Sequence, residues 1–185
     1  MSPPSQPTMK DRYEFITTAM INKYHLHIHK WRTSTTGCAW IITNPDGSQT
    51  RYIESPQPKG PMSAAVFLHE VGHHAIGLGA YRPRCLEEYK AWEWSLYTMQ
   101  QFNLNITPAV RKRIHDSLHY ALQKALRRGL KNIPEELVPF ITPCKTSPSI
   151  RKAAHARPRS TSENPTISTQ KKKTKKRILW IFPKR

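Results

Sequence analysis

The chain is short of acid. Twelve Asp and Glu side chains stand against 30 Lys and Arg over 185 residues, a formal charge of +18. The shortage is uneven. Residues 1–144 hold 17 basic and 11 acidic side chains, a net +6, whereas residues 145–185 hold 13 and one, a net +12. That split excludes an evenly basic, histone-like protein and predicts a compact domain followed by a basic tail. Long apolar runs are also missing: none exceeds five residues, against the roughly 20 that a membrane-spanning helix needs. The three cysteines (Cys38, Cys85, Cys144) include no C-x-x-C pair, which argues against a disulfide framework or a thiolate zinc knuckle. The first residues, Met1-Ser2-Pro3-Pro4-Ser5, lack the basic start and apolar core of a secretory signal, so a cytoplasmic location is expected.

What is present divides into three parts. Residues 1–9 are a Pro/Ser-rich terminus expected to lack structure, 10–142 a single domain, and 143–185 the basic, low-complexity tail. Within the domain, Tyr13, Ile16, Met20 and Ile21 recur at near-helical spacing and predict a helix over Asp11–Asn22. Three strand-like segments follow: Tyr24–Trp31, Cys38–Thr43 and Gln49–Glu54, the last two joined by the turn Asn44-Pro45-Asp46-Gly47. From Ser63 the apolar period changes to three and four, through Val66, Phe67, Val71, Ala75 and Leu78. Two more helices are predicted, over 84–102 and from the cap Thr107-Pro108 to Gly129, with a short one after Pro134. The expected fold is α+β: a small antiparallel sheet packed with the helix at 63–78 and two further helices.

That helix contains His69-Glu70-Val71-Gly72-His73. Residues four apart share a helical face, so both imidazoles can point at one Zn²⁺, and Glu70 beside them can move a proton to and from water. With nine His and nine Glu in the chain, H-E-x-x-H is expected by chance about 0.02 times, so coincidence is a poor account of it. Catalytic zinc takes three protein ligands. The next helix offers two carboxylates in its first turn, where the helix dipole also favours acids. Glu88 is the expected third ligand, because Ala91 three residues on lets the helices approach closely; Glu87 is the alternative.

The run His69-Glu70-Val71-Gly72-His73-His74, followed by Glu88-x-x-Ala91-x-x-Trp94-Ser95, resembles the HExxH…E zinc metallopeptidases called gluzincins. Among these it is most similar to the small ImmA/IrrE-type proteins, many of them encoded by phages and mobile elements. The resemblance covers about residues 10–130 and implies zinc held by His69, His73 and Glu88, with Glu70 as general base. The implied activity is hydrolysis of a protein or peptide substrate. His74, Tyr81 and Tyr89 are candidates for an oxyanion donor.

Other features carry weaker signals. His25, His27 and His29 alternate and are expected on one face of a strand; His115 and His119, four apart with Asp116 between, mark a helix edge. Tyr89, Trp92 and Leu96 share a helical face expected to pack on the HExxH helix. The run Lys171–Arg177 beside Ile178–Phe182 suits nucleic-acid phosphates or an anionic membrane surface, so residues 171–185 are the candidate contact. A contrasting function follows from it: a nucleic-acid-binding accessory protein on a catalytically silent metallopeptidase scaffold. A structural zinc site is the third alternative.

Overall fold

The computed structural model describes residues 6–144. The expectations for the tail, including its basic run and Ile178–Phe182, lie outside these residues. Thr8 opens the first helix, α1 (Met9–Tyr24): its hydroxyl accepts from the Asp11 N–H at 3.2 Å, and the Asp11 carboxylate accepts from the Thr8 N–H at 2.8 Å. This reciprocal cap satisfies two otherwise orphaned donors and starts the helix inside the segment expected to lack structure. Thr8→Ala is expected to lower stability by about 1 kcal/mol, seen as a lower urea midpoint at unchanged slope.

Strands β1 (Leu26–Arg32), β2 (Cys38–Thr43) and β3 (Gln49–Pro56) form one sheet in the order β1-β3-β2. The Pro-Asp-Gly turn makes β2 and β3 antiparallel as expected, but β1 pairs with β3 in parallel, so the sheet is mixed rather than antiparallel. Burial accounts for the order. Ile53 and Ser55 of β3 are fully buried, which suits the central position, whereas β1 carries exposed His27, His29 and Lys30, which suit an edge. His25 does not join them. It ends α1 in the left-handed conformation (φ 52°), whereas His27 and His29 both set their rings against Tyr52 of β3. The three histidines therefore do not form one strand face.

Helix α2 (Pro61–Ile76) lies at the centre: every residue from Ala64 to His74 is buried. It packs on the sheet, on α3 (Arg84–Gln101) and on α4 (Pro108–Arg127). Ser63 stands at the third helical position, and its hydroxyl accepts the Lys59 and Gly60 N–H groups at 2.9 and 3.1 Å. Thr107 caps α4, which buries the expected stripe Val110, Ile114, Leu118 and Leu122. A 3₁₀ turn at Glu135–Phe140 closes over α4, with Leu137 fully buried. None of the described helices is long and apolar enough to cross a membrane.

Two close approaches set the position of α2. A β-carbon at Gly72 would fall 2.8 Å from the Ala91 carbonyl oxygen, so α2 and α3 cross with their backbones almost touching. Ser95 completes the crossing by donating to the Ala65 carbonyl at 2.9 Å. On the other side, a β-carbon at Gly37, just before β2, would overlap the Glu70 carboxylate.

Candidate metal centre

Helix α2 buries four polar side chains, His69, Glu70, His73 and His74, and buried polar groups need partners. Helix α3 supplies them for His69 and His73. Glu88 Oε2 lies 3.3 Å from His69 Nε2 and 3.6 Å from His73 Nε2, and these donor atoms all fall within 4.8 Å of one another. Among the described residues this is the single group of three or more His, Cys, Asp or Glu able to hold a metal ion. Two buried imidazoles and one carboxylate, the latter 23% exposed, fit a divalent transition metal.

Glu87, the alternative third ligand, takes a different place. It is 1% exposed, and its Oε1 sits 3.3 Å from His73 Nδ1, the ring nitrogen turned away from the cluster. Arg84 donates from Nη1 to Glu87 Oε1 at 2.8 Å and from Nε to Glu88 Oε1 at 3.0 Å. The Gly79 N–H donates to Glu87 Oε2 at 3.0 Å. His69 is oriented by stacking instead: its ring lies 4.0 Å from that of Trp92 at 22°, and the Trp92 indole donates to Ser117 Oγ at 3.3 Å. The tryptophan expected in the core is there, but with a face given to a candidate ligand. Arg84 could have been found from spacing, being three and four residues ahead of the two glutamates; Ser117 and Gly37 had no sequence signal.

The charges follow from burial and these contacts. Burial holds His69 down to about 4, against the pull of Glu88. Burial opposes charge on His73 too, yet Glu87 and Glu88 outweigh it and push that imidazole up to about 9. Burial would raise Glu88, but its contacts with His69 and His73 hold the carboxyl well below the usual range. The two glutamates thus concentrate negative charge on whatever cation sits among them, a proton on His73 or a divalent metal. Glu70, 5% exposed, is pushed up to about 8 by burial. A metal cation beside it would favour the carboxylate and oppose that shift.

Of the candidate oxyanion donors, His74 and Tyr89 are engaged elsewhere. His74 is buried, with Nε2 3.1 Å from the Tyr52 carbonyl of β3, so it ties α2 to the sheet. The Tyr89 hydroxyl donates to Glu93 Oε1 at 3.4 Å. His119 Nδ1 meets the Phe140 carbonyl at 2.8 Å, His115 packs on the Phe140 ring, and Asp116 pairs with Lys112, so these three do not form a second metal site. Comparison with family models, curated proteins and solved structures finds no match to this chain.

Proposed function

We propose that the chain is a zinc-dependent metallopeptidase of the HExxH…E kind, hydrolysing peptide bonds in a protein or peptide substrate. The observation that carries this reading is the meeting of His69 Nε2, His73 Nε2 and Glu88 Oε2 on a buried helix crossing, one residue from Glu70. Zinc bound there would supply Lewis acidity toward water and the scissile carbonyl. Each imidazole offers Nε2, and His73 does so because Glu87 faces its Nδ1. Glu70 accepts the proton of the attacking water at its carboxylate and returns it to the departing amine. Its burial excludes bulk water from that transfer, and the close backbone of Gly37 restricts where the carboxylate can go.

Elemental analysis of the purified full chain tests the reading. About one zinc per chain is expected, lost in His73→Ala, and the wild type should degrade an unfolded protein mixture. A wild type as metal-free as His73→Ala would sink it. A second reading rests on the net +12 of residues 145–185: a nucleic-acid-binding accessory protein without turnover. It requires binding that weakens steeply with salt and vanishes on deletion of 145–185, with Glu70→Gln inert.

A further inference from the structure

Glu87 is a buried carboxylate that the proposed chemistry does not use. Its Oε1 receives Arg84 Nη1 at 2.8 Å and lies 3.3 Å from His73 Nδ1, and its Oε2 receives the Gly79 N–H at 3.0 Å. Arg84 also holds Glu88, with Nε and Nη2 both 3.0 Å from Oε1. One guanidinium therefore occupies Oε1 of both glutamates, and the oxygen of Glu88 left facing the two imidazoles is Oε2. We infer that Glu87, held by Arg84, is a positioning residue for the ligand His73: it faces Nδ1 at 3.3 Å and so leaves Nε2 as the nitrogen turned toward the metal.

The inference rests on the metallopeptidase reading and adds an outer layer to it. A neutral imidazole has one donor and one acceptor nitrogen, and a carboxylate can only accept. With Glu87 facing Nδ1, a proton is favoured on that side, and Nε2 is the nitrogen that gives up its proton to take a metal cation. The same contact makes the ring a more basic ligand and stops it turning. The partner must be buried to resist competition from water, and Glu87 at 1% exposure is. A buried carboxylate in turn needs compensation, which Arg84 and the Gly79 N–H provide. Because Arg84 binds both acids, the geometry of His73 is coupled to that of Glu88: one residue holds the partner of one ligand and sets the free oxygen of another. Neither buried Nδ1 makes a hydrogen bond, but that of His73 has the Glu87 carboxylate 3.3 Å away, whereas His69 has no carboxylate on that side and relies on Trp92 for orientation.

A purely structural role is the rival account, since Glu87 also ties the first turn of α3 to the preceding loop. Metal affinity separates the two. Zinc is titrated into the full chain against a coloured chelator, for wild type, Glu87→Gln and Glu88→Ala, alongside thermal melting of each chelator-treated protein. Glu87→Gln is expected to keep one-to-one binding with affinity reduced by roughly 10–100-fold, and to change the visible spectrum of the cobalt(II)-loaded chain. Glu87→Asp should recover part of the loss. Unchanged affinity and spectrum in a folded Glu87→Gln would overturn the inference while leaving the metal site standing, even if its melting temperature fell. A wild type that binds no zinc would instead overturn the metallopeptidase reading itself. If Glu87→Gln does not fold, Arg84→Gln replaces it, because Arg84 is 56% exposed. That variant is expected to lose zinc affinity in the same range, and wild-type affinity would overturn the inference.

Discussion

Glu70→Gln is expected to retain about one zinc per chain while hydrolysis of an unfolded substrate falls by roughly 10²–10⁴-fold. Gln has nearly the same shape as Glu, and Glu70 makes none of the three donor contacts, so the metal site should be untouched. What disappears is the proton acceptor. Glu70 is surrounded so closely that its position can be tested from the other side as well. Gly37→Ala would place a methyl group on the Glu70 carboxylate, and either the loop before β2 or the carboxylate must move. Hydrolysis should therefore drop in Gly37→Ala with zinc retained, as in Glu70→Gln. Equal turnover by wild type and Glu70→Gln would remove Glu70 from the chemistry and leave the accessory-protein reading as the better one.

Local pattern made much of this legible. The switch from period two to period three and four marks α2, and H-E-x-x-H on it names two of the three candidate donors. The sheet order was less accessible. Alternation and a turn show that β2 and β3 form a hairpin, but nothing in the β1 segment says whether it joins the edge of β2 or of β3. The difference is one of burial, since β3 has two fully buried inward residues and takes the centre. Choosing between Glu87 and Glu88 met a similar limit. Neighbours on a helix point about 100° apart, so only one can join the cluster. Ala91 lies four residues from one and three from the other, and either could share its face. The rotation of α3 is set by contact with Gly72, a position whose importance cannot be read from α2 alone. Glu70 and Gly37 meet only because the chain folds 33 residues back, which local spacing does not encode.

Gly72→Val is expected to destabilise the chain by about 1–3 kcal/mol and to weaken both zinc binding and turnover. The branched side chain would start from a β-carbon 2.8 Å from the Ala91 carbonyl oxygen and 3.3 Å from its α-carbon. Those are backbone atoms, so no rotamer change in α3 can relieve the overlap. Higher helix propensity works the other way, since glycine is the poorer helix former by up to about 1 kcal/mol, but that gain needs no contact and cannot hold the helices together. The helices must separate, and the crossing is what brings Glu88 of α3 to His69 and His73 of α2. A shift of about 1 Å there is enough to cost on the order of 100-fold in activity. The Ser95 hydrogen bond to the Ala65 carbonyl, almost two helical turns away, resists the separation and concentrates the strain near the metal end. Urea unfolding with and without zinc measures both effects in one experiment. The midpoint should fall in the absence of metal, and the extra stability conferred by zinc should shrink, because that increment depends on affinity. A lower midpoint with an undiminished zinc increment would mean that the crossing stabilises the fold without setting the ligand geometry.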